Sequence, residues 1–289
     1  MSALFVERFL AAHDVPPKEI VLDFDATNDP VHGQQESRFY QGYYRHYCFL
    51  PLYVFCGGHL LCALLRSANI DGAKHSRDVT KLLVGRIRLV WPDVKITIRG
   101  DGGFCRWKLV REPLMKQAEA AFAETGQKQR QFGETDYQAG TWNRSPRVIM
   151  KAERLAAGPN RRFIVTTLKG PPQTMYDEVY CQRGDMENRI KEQQLMLFAD
   201  RTNCHHFAAN QFRLRLSSFA YVLLYELRAT HLAGTDMATA QVTKNRLTLL
   251  KIAARVTLSV RRVVLHLSPS CPYQSVFHHV ASTLISTPE

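Results

Sequence analysis

An α/β fold, one sheet with helices packed on it and functional groups at its edge, is the class this sequence predicts, and three observations predict it. Apolar and other residues alternate in "EIVLDFDAT" (19–27) and "VKITIRG" (94–100), the period-two pattern of strands. Between them "HSRDVTKLLVGRIRLVW" has helical spacing and is closed by Pro92. Asp25 and Asp101 fall at the ends of the two strands, where open α/β sheets place their sites.

The elements follow in order. Residues 2–12 read as a short helix. In the first strand Ile20, Leu22 and Phe24 point one way and Val21, Asp23 and Asp25 the other, so two carboxylates share a face. After a loop rich in Gly, Gln and Tyr ("HGQQESRFYQGYY"), "YVFCGGHLLCALL" reads as two buried strands joined by a Gly-Gly turn. The uncharged run from Tyr47 to Leu65 has the length of a membrane span, but Pro51, Gly57-Gly58 and His59 interrupt it, and the N-terminus lacks a signal-peptide pattern. Residues 106–132 are a charged helical stretch rich in Ala and Gln. Residues 133–180, with "RVIMKAERL", "RRFIVTTL" and "MYDEVY" between GPN and GPP turns, read as a β-rich insert carrying Arg144, Arg147, Lys151, Arg154, Arg161 and Arg162. "FAANQFRLRLSSFAYVLLYELRATHL" then reads as a long, mostly buried helix. Trp107 and Trp142 are expected in the core rather than stacked on a base.

Charge narrows the partner. Lys and Arg number 38 against 26 Asp and Glu, a net +12, which favours a polyanion such as nucleic acid or an anionic membrane surface. From Met237 onward the only acid is Glu289, while Lys244, Arg246, Lys251, Arg255, Arg261 and Arg262 interleave with apolar residues as in helices with one basic face. Seven scattered cysteines without a CxxC pair suit a reduced, intracellular setting, and Cys204-His205-His206 lacks the second ligand pair that structural zinc needs.

One short stretch concentrates chemistry. In "YCQRGDMENRIKEQ" (180–193), Tyr180, Arg183, Glu187 and Lys191 fall on one narrow helical face. As a solvated surface the stripe would hold two ordinary i,i+4 ion pairs. Read with Asp25 and Asp101, Glu187 supplies a third carboxylate from a distant part of the chain. Three clustered carboxylates repel one another unless cations neutralise them, and two Mg²⁺ ions, with Mn²⁺ able to substitute, would also serve phosphodiester displacement.

At these residues the chain resembles the DDE group 1 insertion-sequence transposases, marked by Tyr-x2-Arg-x3-Glu-x6-Lys. Here Tyr180, Arg183 and Glu187 match, Gln194 stands where the lysine is expected, and Lys191 lies one turn earlier. "LDFDATNDPVHGQQE", "RGDGGFCR", "RGDMENRIKE" and "NQFRLRLSSFAYVLLYELR" extend the resemblance along nearly the whole chain. It implies an RNase H-like mixed sheet flanked by helices, with a β-rich insertion between the second Asp and the Glu. The corresponding units are 1–105, the first part of the catalytic domain; 106–179, the insertion; and 180–289, the C-terminal helical part with a basic tail. It further implies a two-metal site of Asp25, Asp101 and Glu187 that cuts and rejoins transposon ends, with Asp23 as fallback for Asp25. Tyr180, Arg183 and Lys191, together with Arg144 and Arg147 of the insert, would hold the DNA. The implied partners are double-stranded transposon-end and target DNA, bound by a homodimer in the bacterial cytoplasm. Two departures accompany it: little chain precedes the first Asp strand, as in an N-terminally truncated copy, and the strand after the second Asp looks deleted. The alternatives are an inactive DNA-binding remnant and another two-metal nuclease of the same fold.

Overall fold

In the computed structural model, which describes residues 2–101, 112–136 and 145–286, the alternating stretch becomes the centre of the main sheet. The chain opens with α1 (Ser2–Ala11) and β1 (Glu19–Ala26). Short strands β2 (Asp29–Pro30), β3 (Phe39–Gln41) and β4 (His46–Phe49) follow, then β5 (Leu52–Cys56), β6 (His59–Leu64), α2 (Ser76–Val90) and β7 (Lys95–Gly100). The main sheet has the order β6-β5-β1-β7, with β1 antiparallel to β5 and parallel to β7. Phe24 is the register partner of Gly100, so Asp25 and Asp101 are the next positions on two neighbouring parallel strands.

Side-chain alternation decides what each face buries. Ile20, Leu22 and Phe24 pack with Phe9 of α1 and with Val79, Leu83 and Ile87, which recur every fourth residue along α2. On the opposite face Tyr53 and Phe55 meet a second helical layer through Met186, Ile190, Leu214 and Tyr221. Asp23 and Asp25 point to that second layer.

The Gly-Gly turn joins β5 to β6, with Cys56 opposite His59 and Gly57 at φ +55°. Gly58 is required for space: a Cβ there would stand 2.1 Å from the Tyr225 ring, and its carbonyl accepts from the Tyr221 hydroxyl at 2.9 Å. Gly58→Ala is therefore expected to destabilise the fold by about 1–3 kcal/mol, the usual cost of overpacking. Urea denaturation measures it, and a change too small to resolve would show that the ring moves freely aside.

Between Asp101 and Glu187 in the chain stand α3 (Glu112–Thr125) and an antiparallel sheet of β8 (Gln129–Asp136), β9 (Arg147–Leu155) and β10 (Gly158–Thr166), in the order β10-β9-β8. The helix is shorter than the 106–132 reading. Gly126, at φ +67° and donating to the Phe122 carbonyl at 2.8 Å, ends it, and residues 129–132 belong to β8. Residues 106–111 of that reading, and Trp107, Trp142 and Arg144, lie outside the described residues.

A continuous helical run, 172–196, comes next. It comprises α4 (Pro172–Thr174), a π-helical turn Met175–Tyr180, a 3₁₀ turn Cys181–Arg183, α5 (Gly184–Lys191) and a second π-helical turn Glu192–Met196. "MYDEVY" is thus helical and not β. Tyr176, Val179 and Tyr180 stand at i, i+3 and i+4, a helical spacing that six residues cannot separate from alternation.

The following helix, α6 (Phe207–Glu226), is half-buried instead of mostly buried: Leu214, Tyr221 and Leu224 face the core, while Phe212, Leu216 and Leu223 are exposed. α7 (Val242–Asn245) continues as a π-helical turn to Leu250. Beyond it the expected basic helices give way to an antiparallel hairpin, β11 (Ala254–Leu258) and β12 (Val263–Leu267), before α8 (Gln274–Ser286). Arg255 lies on the hairpin and Arg261 and Arg262 at its turn, because "ARVTL" and "VVLHL" are rich in β-branched residues.

The architecture is α/β, a mixed sheet with helices on both faces, compatible with an RNase H-like fold. Among the described residues no strand pairs with the outer edge of β7. A hollow of about 700 Å³ runs along it, bounded on the far side by Ile164, Thr166 and Val179. No helix among the described residues is long and apolar enough to cross a membrane.

Candidate active site

Parallel pairing of β1 and β7 brings two strand ends together, and the helical run 172–196 crosses them. Asp101, Tyr180, Arg183 and Glu187 line one cleft of about 770 Å³, joined by Tyr44 and by Arg162 from β10. Asp25 stands behind this wall, 9% exposed, with Oδ2 3.0 Å from Nη2 of Arg183. The same guanidinium reaches Oε1 of Glu187 through Nη1 at 3.4 Å. A single arginine therefore bridges the first and third carboxylates.

The electrostatics reflect the crowding. Burial pushes the Asp25 carboxyl up to about 6; the Arg183 charge opposes this, and the negative charges of Asp101 and Glu187 add to it. Burial also raises the Tyr180 hydroxyl, partly offset by Arg183, and it takes Tyr44 up to about 12 with help from Asp25. Both tyrosines stay protonated donors at neutral pH.

The remaining candidates are placed differently. Asp23 is held by a two-point ion pair with Arg99, one arm of which is Nη2 to Oδ2 at 2.6 Å; the same arginine donates to the Val179 carbonyl. Lys191 is exposed and is not part of the cleft wall. Gln194, where the motif expects lysine, donates to the Asn28 carbonyl at 3.2 Å. Arg147 fastens the insert, pairing with Glu134 and donating to the carbonyls of Leu168 at 3.0 Å and Gly170 at 2.5 Å.

Sequence reasoning did not single out Arg99 or Tyr44. Arg99 had a signal: it lies two residues before Asp101, and once β1 and β7 are paired it stands opposite Asp23.

Three carboxylates are hard oxygen donors of the kind that hold Mg²⁺ or Mn²⁺. Among the described residues, however, no group of three His, Cys, Asp or Glu stands together closely enough to hold a metal ion. The positive charge between Asp25 and Glu187 is instead the Arg183 guanidinium. As hard oxygen donors the three carboxylates have the chemistry, though not the spacing, of a divalent-cation site.

No curated protein and no solved structure matches the chain. The family model described as transposase DDE domain group 1 matches residues 1–123 and 111–289, which together span all of it. Members of that family act on DNA as metal-dependent, nuclease-type enzymes. The chain belongs to the group 1 DDE transposases.

Proposed function

We propose that this protein cleaves and transfers DNA strands at transposon ends, using Asp25, Asp101 and Glu187 as one carboxylate site. The observation that carries the reading is that two acids end neighbouring parallel strands while Arg183 ties the third to the first. Two Mg²⁺ ions, or Mn²⁺ in their place, would supply an activated water and stabilise the leaving oxygen.

The chain's own residues do the rest. Asp25 on β1, Asp101 just past β7 and Glu187 on α5 would present oxygen donors from three parts of the chain. Tyr180 and Tyr44, kept protonated, donate hydrogen bonds to phosphate oxygens entering the cleft. Arg162 reaches the same space from the insert, and a guanidinium there grips phosphate with more than one N–H. Arg183, released from Asp25, would do likewise. We assign the sheet β8–β10 and α3 to an insertion that closes one side of the cleft over DNA, which two copies would bind together.

A second reading is favoured by the same guanidinium. If Arg183 stays between Asp25 and Glu187, the protein binds DNA without cutting it.

Nicking of supercoiled DNA separates the two. Wild type is expected to nick only with Mg²⁺ or Mn²⁺, and Asp101→Ala not at all. Joining of a pre-cut donor end then distinguishes transposition from simple nuclease action. Absent nicking with DNA binding retained would establish the second reading, and nicking that needs no metal would overturn both.

A further inference from the structure

The strongest feature outside the cleft is a ring carrying two positive charges. Phe198 follows the helical run 172–196 and is 38% exposed. The Arg201 guanidinium lies 4.0 Å from its ring centroid and that of Arg246 4.7 Å. A third, Arg213, donates through Nε to the Arg201 carbonyl at 2.8 Å. Among the described residues none of these three arginines forms an ion pair with a carboxylate.

The backbone adds an independent sign. Phe198 sits at φ +62°, in the left-handed region just past a helix end, where glycine is the residue without a steric cost. Ala199 donates to the Gln193 carbonyl at 3.2 Å and Arg201 to the Phe198 carbonyl at 3.2 Å, so the turn is held from both sides. A bulky residue at such a position carries a backbone cost that the turn itself does not require.

We infer that Phe198, Arg201 and Arg246 form a ledge that holds the phosphate backbone of duplex DNA beyond the cleft. This rests on the reading of the protein as one that acts on DNA. A guanidinium stacked on a ring keeps N–H donors in its own plane for bidentate phosphate contact, at Arg246 through its two Nη groups since Nε is buried, and the ring limits the freedom it would lose on binding. Base stacking is the poorer use of Phe198, since the arginines already occupy its π-surface. The ledge lies at the end of the helical run that carries Glu187, about 15 Å along its axis at 1.5 Å per residue. That is roughly four steps of a duplex at about 3.4 Å each, so cleft and ledge can engage one DNA molecule.

Fluorescence anisotropy of a labelled random-sequence duplex at several salt concentrations tests this. For Arg201→Gln/Arg246→Gln the slope of log K against log salt is expected to shrink by about 1.8, at about 0.9 for each phosphate no longer neutralised, with affinity at least about tenfold lower at physiological salt. Phe198→Gly suits the left-handed backbone; it should melt no lower than wild type yet bind duplex more weakly. Lys18→Gln/Lys81→Gln, which removes two charges from exposed positions away from the ledge, should keep most of the slope. An unchanged slope in the arginine variant, an equal loss in the lysine control, or wild-type affinity in Phe198→Gly would each overturn the ledge. So would a defect of Phe198→Gly confined to single strands. Failure of wild type itself to bind duplex would overturn the DNA-acting reading along with it.

Discussion

Arg228→Ala is expected to lower stability by about 3–5 kcal/mol, the range for breaking a buried ion pair by removing one partner. Arg228 and Glu192 are both buried and meet at two points, Nη1 to Oε1 at 2.7 Å and Nη2 to Oε2 at 3.0 Å. The pair joins three segments. Glu192 opens the π-helical turn after α5, the helix that carries Glu187, Arg228 lies in the turn that extends α6, and the Ala240 carbonyl and Val242 N–H bond to the arginine and the glutamate at 3.2 and 3.4 Å. Truncating the arginine leaves a carboxylate in the interior with Arg189, at 3.3 Å, as its one cationic partner among the described residues.

The pH dependence follows from the same ion pair. Burial alone would raise the Glu192 carboxyl; the hydrogen bonds and charge of Arg228 outweigh it and hold the group below its usual range. A carboxylate depressed in the folded state contributes stability above its unfolded value, near pH 4, and loses it as pH falls through the folded one. Wild type should therefore weaken below about pH 4, while Arg228→Ala lacks this part of the acid response. Urea denaturation across pH measures both. Replacing the pair together, as Glu192→Met/Arg228→Met, should restore much of the loss, because no charge is then stranded. A loss under about 1 kcal/mol for Arg228→Ala would mean that water reaches Glu192.

Local pattern carried much of this fold. The alternation of Ile20, Leu22 and Phe24 identified β1, the Gly57-Gly58 pair identified the hairpin, and the helical spacing of "HSRDVTKLLVGRIRLVW" closed by Pro92 identified α2. Misreadings arose where two periods coincide or where neighbours decide. Tyr176 and Tyr180 fit both a helix and a short strand, and in the fold the helical turn lets Tyr176 pack against Phe132 of β8. Val256 suggested a helix face, yet it pairs with Leu265 across a hairpin whose apolar residues remain exposed. The short sheet β2-β4-β3 had no periodic signal, its strands being two to four residues long.

At the site, the residue types were legible along the chain, whereas their meeting place came from topology. Asp25 and Asp101 are neighbours only because β1 and β7 run parallel in one register. Nothing local could show that Arg183 turns inward to Asp25 while Lys191 remains outside, since helical position fixes a face but not the partner waiting beneath it.

Asp25→Asn tests that inward turn, and cutting by this variant is expected to fall at least about 10³-fold, because a neutral amide cannot serve as the charged oxygen donor that the chemistry needs. In the metal-free site burial pushes the Asp25 carboxyl up to about 6, so a proton competes with the cation there and the Mg²⁺ concentration needed for cutting should rise as pH falls through about 6. Stability responds in the opposite sense. An acid whose folded value lies above its unfolded one imposes a penalty that grows from about pH 4 to about 6 and is constant above, on the order of 2–3 kcal/mol. Asn escapes it. Against this gain, Arg183 loses its nearest negative partner, although Glu187 remains 3.4 Å away and the new amide oxygen can still accept from it. These terms oppose one another, so at pH 8 the variant should unfold within about 1 kcal/mol of wild type. A loss of several kcal/mol would make the Asp25–Arg183 pair structural and favour the non-cutting reading. Retained cutting would shift the first carboxylate to Asp23, which would have to leave both arms of Arg99 to take that place.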